Sequence, residues 1–143
     1  MKGSLTIVGL GPGAPELITP AVTDALKDST DIVGYSKYIE RVKDASGKSF
    51  HPSDNREEID RAELSINLAL QGKKVVVVSS GDPGVFAMAS AIFEVVDKKN
   101  ISIDDSSIVV LPGITALLAA SARLGAPIAV SYTHLTLPTK SSG

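Results

Sequence analysis

The sequence has 143 residues, close to the commonest size of a single domain, and its 43% hydrophobic content is enough for one buried core. Its 14 Lys and Arg residues against 16 Asp and Glu residues give a formal charge of −2, which offers no electrostatic basis for non-specific nucleic-acid binding. The chain has no Cys, which excludes disulfides, thiolate metal sites and cysteine nucleophiles. No stretch reaches the roughly 20 apolar residues of a membrane span, so we expect a cytoplasmic protein without a membrane or nucleic-acid partner.

The first half of the chain predicts, in order, a strand, a helix, a strand, a weak helix and a loop or short strand: residues 5–10, 19–27, 31–35, 37–42 and 47–52. Residues 5–10 are rich in β-branched side chains and are bounded by glycine, as is typical of a buried parallel strand. Thr19 and Pro20 mark the helix start, because Thr is a good N-cap and Pro fits the first helical position.

The second half predicts a helix, a strand, a helix, a strand and a helix: residues 55–70, 73–79, 84–98, 107–111 and 114–124. In the first of these helices the apolar residues recur three and four positions apart, and we expect them to be buried: Ile59, Ala62, Ile66, Ala69 and Leu70. Its charged residues, Arg61 among them, are assigned to the solvent side. The alternation of strands and helices predicts an α/β fold, with a mostly parallel sheet and flanking helices.

Glycine-bearing loops follow four of the predicted strands, at residues 9–13, 34–38, 79–84 and 112–116. In an open parallel sheet, ligands bind outside the carboxyl ends of the strands. Any one of these loops is equally well explained as a tight turn, since turns favour Gly, Asp and Pro. All four together indicate a ligand site at this edge.

The first loop also fits the dinucleotide pattern G-x-G-x-x-G/A through Gly9, Gly11 and Ala14. In such a site the glycines open directly into a helix, whereas here the helix start waits until Thr19. No acidic residue closes the second strand, which ends at Tyr35. A nucleotide-binding oxidoreductase is therefore kept only as an alternative.

Asp82 and Thr115 each have a functional and a structural interpretation. Asp82 either contacts a ligand or caps the helix predicted near residue 84, and the residues alone do not decide between these. Thr115 either contacts a ligand at the start of the last helix, or it faces solvent or bonds back to the backbone. His51 and His134 lack metal-ligand spacing, so no metal site is expected.

A small basic cluster lies in the weak helix and just beyond it: Lys37, Arg41 and Lys43. Such a cluster is usually a solvated face, and the alternative is that it meets the carboxylates of an acidic substrate.

Three stretches resemble the tetrapyrrole methylases: Val-Gly-Leu-Gly-Pro-Gly at 8–13, Ser-Ser-Gly-Asp-Pro-Gly-Val-Phe at 79–86 and Leu-Pro-Gly-Ile-Thr-Ala at 111–116. The resemblance implies the N-terminal domain of that fold and methyl transfer from S-adenosyl-L-methionine to a corrinoid precursor. Gly-Tyr-Ser-Lys-Tyr-Ile at 34–39 and Asn-Arg-Glu-Glu-Ile-Asp-Arg-Ala at 55–62 are similar to the branch that methylates C17 of precorrin-3B or cobalt-factor III with ring contraction. The precorrin-2, precorrin-4 and sirohaem branches remain alternatives.

The resemblance implies seven cofactor-binding residues: Pro12, Ser80, Gly81, Asp82, Val85, Thr115 and Ala116. We expect the substrate to contact four residues of the first and second loops: Gly11, Gly13, Tyr35 and Ser36. In some relatives a carboxylate implicated in proton removal follows the tyrosine of the second strand. Ser36 occupies that place here, so no catalytic residue is assigned.

The resemblance covers residues 2–128 and implies a first domain at 1–130. Family members continue into a second domain, with the cofactor in the cleft between the two, and generally form homodimers. Residues 131–143 show neither periodicity nor likeness, so we interpret them as foreign sequence after a truncation. The 143-residue chain alone is then expected to bind the cofactor poorly.

Overall fold

The computed structural model describes residues 3–42, 46–84, 88–102 and 107–125. Its strands are β1 (Ser4–Gly9), β2 (Asp31–Tyr35), β3 (Ser49–Ser53), β4 (Lys74–Ser79) and β5 (Ile108–Leu111). Its helices are α1 (Pro20–Asp28), α2 (Ser36–Ile39), α3 (Glu58–Leu70), α4 (Met88–Lys98) and α5 (Ala116–Leu124), with a short 3-10 helix at Pro15–Leu17. The predicted α/β alternation is confirmed.

The strands form one sheet in the order β3-β2-β4-β1-β5, and every pair of neighbouring strands is parallel. β1 lies between β4 and β5, with Ile7 opposite Val77 on one side and Val110 on the other. Because all strands run the same way, the loops that follow them leave from one edge of the sheet.

Apolar side chains alternate between the two faces of the sheet. Val75 and Val77 of β4 pack in a cluster with buried residues of α3 and α4. Val76 and Val78 pack in a second cluster, with α1 and α2 residues. Each fully buried valine contributes about 1.5–3 kcal/mol, so the central strand anchors both layers.

The buried face of α3 differs from the predicted one. It consists of Arg61, Ala62, Ser65, Ile66 and Ala69. The assignment of Arg61 to solvent was wrong. So was the burial of the predicted Ile59 and Leu70, which are 47% and 39% exposed. The buried residues form two adjacent rows along the helix, and the residues within a row are four positions apart. One row contains Arg61 and Ser65, which are therefore buried. Ser65 tolerates this because its hydroxyl donates to the Ala62 carbonyl at 2.8 Å.

The helix ends follow local capping chemistry. The Thr19 hydroxyl accepts from the Val22 amide at 3.3 Å, which confirms the predicted start of α1. α5 begins at Ala116 rather than at residue 114 because Thr115 is its N-cap. None of the helices formed by the described residues has the length and apolar character needed to cross a membrane.

Candidate functional site at the carboxyl edge of the sheet

The first and third loops are hydrogen-bonded to each other beyond the end of the sheet. The amide of Leu10 donates to the Ser79 carbonyl at 2.8 Å. The amide of Gly11 then donates to the Gly81 carbonyl at 3.2 Å, and the amide of Gly81 returns a bond to the Gly11 carbonyl at 2.9 Å. Pro12, half-buried, follows this bridge directly. The parallel pairing of β1 and β4 is thus followed by an isolated antiparallel bridge between the two loops.

Asp82 joins the third loop to the fourth. Its Oδ1 accepts from the Gly113 amide at 3.0 Å, and its Oδ2 accepts from the Gly84 amide at 2.9 Å. The carboxylate therefore orders the backbone of two loops, which neither of the two predicted interpretations described. Amide hydrogen bonds to a carboxylate are stronger than neutral ones, so Asp82 fixes the separation of these loops.

Thr115 follows the same junction by two residues. Its hydroxyl oxygen accepts from the Leu118 amide at 3.2 Å and caps α5, as the back-bonding interpretation predicts. A hydroxyl that accepts one bond still has its O–H to donate, so capping leaves a contact with a ligand open. Ala116, exposed, begins the helix.

The second loop lies on the β3 side of this edge. The Ser36 hydroxyl donates to the Ser53 carbonyl at 3.0 Å, and the side chain is exposed. The rings of Tyr35 and Tyr38 meet edge to face, with their centres 5.1 Å apart. These contacts tie the second loop to β3 and α2 rather than to Gly11.

Arg41 holds the first loop through two hydrogen bonds to its backbone. Its Nη2 donates to the Leu10 carbonyl at 2.7 Å and its Nη1 to the Gly11 carbonyl at 3.2 Å. Burial of the guanidinium lowers the pKa of Arg41 from its ordinary value. Of the two interpretations of the basic cluster, neither anticipated this backbone contact. Lys43 lies outside the described residues.

A cavity of about 150 Å³ opens at the end of β4, between α2 and α3. Its lining includes Ser79, Ser80, Tyr38, Met88 and the buried Arg61. No local sequence signal points to Arg61, because a charged residue on an amphipathic helix is ordinarily solvated. A larger cavity of about 340 Å³ touches the first residues of β1 and β4, at the opposite edge, and holds none of the predicted site residues.

The structure thus gathers most of the predicted site residues at one edge. Gly11, Pro12, Ser80, Gly81, Asp82, Thr115 and Ala116 lie in the first, third and fourth loops. Gly13 is exposed at the far side of the first loop, Tyr35 and Ser36 lie beside β3, and Val85 is outside the described residues.

The dinucleotide alternative does not match this geometry. A 3-10 helix follows the glycine loop and α1 begins only at Pro20, so no helix N-terminus opens from Gly11. In the described ranges, His, Asp and Glu side chains form no group of three suited to a metal ion.

The chain is similar in sequence to known proteins. A family model for tetrapyrrole (corrin/porphyrin) methylases matches residues 4–142. The precorrin-3B C(17)-methyltransferase of a Sinorhizobium species is 41% identical over 137 residues, which are 96% of this chain and 54% of that protein.

Solved structures are similar as well. The crystal structure of the methyltransferase CobJ superposes with a TM-score of 0.81 at 52% identity, over 88% of this chain and 52% of that one. The uroporphyrin-III C-methyl transferase of Thermus thermophilus, solved with S-adenosyl homocysteine, gives 0.67 at 27% identity, over 83% of this chain and 52% of that one. The chain spans about half the length of these relatives.

Proposed function

We propose that this chain, which belongs to the tetrapyrrole (corrin/porphyrin) methylase family, is part of an S-adenosyl-L-methionine-dependent methyltransferase that methylates C17 of precorrin-3B or cobalt-factor III with ring contraction. The observation that carries the proposal is the junction of three loops at Gly11, Gly81 and Gly113. This junction forms a rigid edge that is lined by backbone groups. The proposal is also supported by a relative of this chain that is named a precorrin-3B C(17)-methyltransferase.

The cofactor would lie against the first, third and fourth loops, held by seven residues: Pro12, Ser80, Gly81, Asp82, Val85, Thr115 and Ala116. The chemistry of these residues fits a large ligand with many polar atoms, because small side chains leave backbone groups accessible. Asp82 acts on the loop backbone, whose two amides it already binds, and so sets the shape of the binding edge. Gly11, Gly13, Tyr35 and Ser36 are proposed to face the corrinoid.

The chain's part in the reaction is positioning. The bound cofactor supplies an electrophilic methyl group on a sulfonium, which is a good leaving group. Holding donor and acceptor in line supplies about 7–11 kcal/mol of the barrier, and the tied loops are suited to this. Ser36 offers no general base, since a hydroxyl is a poor one and this one donates to Ser53. No catalytic residue is assigned.

The domain organisation is also a proposal. Residues 1–130 would form the first domain of the enzyme, and the full-length protein would be a cytoplasmic homodimer with the cofactor between two domains. The interpretation of residues 131–143 as foreign sequence stays a prediction: the family model's match runs to residue 142, and these residues lie outside the described part of the chain. Sequencing the gene beyond codon 130 in independent isolates tests it.

Calorimetry of the full-length gene product tests the cofactor. We expect binding of S-adenosylhomocysteine and none of NAD. Turnover assays with precorrin-3B, cobalt-factor III, precorrin-2 and precorrin-4 then test the branch, and methylation at C17 is expected only with the first two. Methylation of precorrin-2 or precorrin-4 instead would assign the protein to another branch, and binding of NAD alone would overturn the methylase proposal.

A further inference from the structure

Arg61 is a buried cation without a carboxylate partner. The residue is only 5% exposed. Its Nε donates to the Ser53 hydroxyl at 2.9 Å, and its Nη2 donates to the Asp54 carbonyl at 2.6 Å. Among the described residues it belongs to no ion pair. Burying a charge in this way costs several kcal/mol unless an opposite charge offsets it.

The third nitrogen of the guanidinium is poorly used. Nη1 has the Met88 sulfur as its partner at 3.9 Å, and a thioether is a weak acceptor. A guanidinium has five N–H groups, and the two bonds to Ser53 and Asp54 engage two of them. The two bonds explain how the side chain is held against the turn between β3 and α3. Neither acceptor is anionic, so the two bonds leave the positive charge of the guanidinium without a hydrogen-bonded carboxylate.

Arg61 lines the cavity of about 150 Å³ at the end of β4. A water molecule occupies roughly 30 Å³ in the liquid. The cavity therefore has the volume of several water molecules, which is enough for a carboxylate group. Ser79 and Ser80 of the third loop line the same cavity, which makes it continuous with the candidate cofactor edge. Burial lowers the pKa of Arg61 from its ordinary value, and this effect outweighs Glu58, Glu57, Tyr38 and Asp54, which all raise it. Of these, the exposed Glu58 lies on the cavity rim.

We propose that Arg61 is a carboxylate-binding residue of the active site, which receives a carboxylate of a bound ligand in this cavity. The inference rests on the proposed function. Two ligands of that function carry the required group: the acetate and propionate side chains of the corrinoid, and the methionine moiety of the cofactor. Planar guanidinium groups are well suited to carboxylates, and an ion pair formed on binding would neutralise the buried charge.

The test uses the full-length gene product with Arg61→Met, which keeps volume and removes charge, and Arg61→Lys, which keeps charge. Arg56→Met, an exposed neighbour, controls for loss of one positive charge from the same segment. With Arg61→Met we expect the KM for precorrin-3B or the Kd for S-adenosylhomocysteine to rise about tenfold or more, the effect of one charge-assisted hydrogen bond. Arg61→Lys should recover part of this loss, and Arg56→Met should change either constant by less than about twofold.

The two sources of the carboxylate are separated by ligand analogues. If the cofactor supplies it, the affinity for S-adenosylhomocysteine falls while that for 5′-methylthioadenosine, which lacks the amino-acid part, is unchanged. If the tetrapyrrole supplies it, binding of uroporphyrin III, measured by fluorescence, weakens in Arg61→Met while binding of its methyl ester does not. Either result supports the inference.

A purely structural Arg61 gives a different pattern. Arg61→Met then lowers the melting temperature, but KM, Kd and the porphyrin affinities of the folded variant stay at wild-type values, and the inference is overturned. This outcome is distinct from failure of the proposed function, in which the wild-type protein neither binds S-adenosylhomocysteine nor methylates a precorrin. In that case the uroporphyrin comparison still decides whether Arg61 binds carboxylates.

Discussion

Gly113 brings the fourth loop into direct contact with the other two. A Cβ atom at this position would overlap the Gly81 carbonyl oxygen and would lie 2.8 Å from the Gly9 carbonyl oxygen. A Cβ at Gly9 would overlap the same Gly81 oxygen. Both obstacles are backbone atoms, which cannot rotate aside. The absence of side chains at these two residues therefore sets how closely the loops approach.

We expect Gly113→Ala to force the third and fourth loops apart. Inserting a methyl group into a closely packed site costs about 1–3 kcal/mol, and the Gly113 bond to Asp82 should be lost with it. Urea unfolding should show the stability loss, and calorimetry of the full-length protein should show S-adenosylhomocysteine binding weakened by at least about tenfold.

Gly47→Ala is the control for that experiment. Gly47 has a φ of +75° and open space around its Cβ position, so the substitution costs about 1–2 kcal/mol of backbone strain far from the loops. It should reduce stability and leave the affinity of the folded protein unchanged. Equal loss of affinity in both variants would mean that the three-loop junction has no special part in binding.

The sequence allowed the convergence of these loops to be predicted, but not their contacts. Parallel strands end at one edge, so glycine-rich turns after them had to lie near one another. Asp82 accepts hydrogen bonds from the amides of Gly84, two residues away, and Gly113, 31 residues away. The local sequence indicates only the bond from Gly84. The burial of Arg61 was not predictable, because a charged side chain on a helix ordinarily indicates a solvent-facing position.

At the scale of elements, β2 and β3 are linked by a buried carboxylate. Asp31 Oδ1 lies 2.9 Å from His51 Nε2, and Asp31 Oδ2 accepts from the Thr30 hydroxyl at 2.7 Å. Burial, the largest influence, raises the pKa of Asp31, but the hydrogen bonds from His51 and Thr30 and the His51 charge outweigh it. The pKa of Asp31 is therefore lowered from its ordinary value of 3.8.

A carboxylate with a lowered pKa stabilises the folded protein above its ordinary pKa, and this stability is lost as the pH falls through the folded value. We therefore expect Asp31→Asn to cost about 1–3 kcal/mol at pH 6 and progressively less below about pH 4. Urea unfolding across this range measures the difference. Asp24→Asn, on the exposed face of α1, is the control and should retain the acid dependence of the wild type. A constant difference between Asp31→Asn and wild type at all pH values would contradict the expectation.

Elements with strong local signals were predicted well. The second strand has the predicted bounds, Asp31–Tyr35, and α1 begins at its Thr19 cap. The rotation of α3 about its axis was not predictable from its apolar spacing, because Ile59 and Leu70 fit the same period as Ala62 and Ile66. Which row is buried depends on α4, which packs beside α3 and contributes Ile92 to the same core.

At the scale of the whole molecule, burial is uneven across the sheet. α5 has no buried residue, and Leu117 and Leu124 are 64% and 72% exposed. In the edge strand β5, Val109 and Val110 are 42% and 39% exposed and point to opposite faces of the sheet. Exposed apolar surface of this kind marks an interaction face or an aggregation site. In the proposed two-domain enzyme, the exposed apolar side of α5 is available to the second domain.

We expect the 143-residue chain to self-associate through the exposed leucines of α5. Sedimentation velocity should show concentration-dependent oligomers, and the double substitution Leu117→Glu and Leu124→Glu should return the chain to monomer. Because both side chains are exposed, the substitutions should change the free energy of unfolding by less than about 0.5 kcal/mol each. Leu64→Glu, on the exposed side of α3, is the matched control and should leave self-association unchanged. In the full-length protein the same double substitution should instead lower stability by several kcal/mol, because it would place two charges under the second domain. Loss of stability in the short chain, or oligomers that persist in the double variant, would show that another surface drives association.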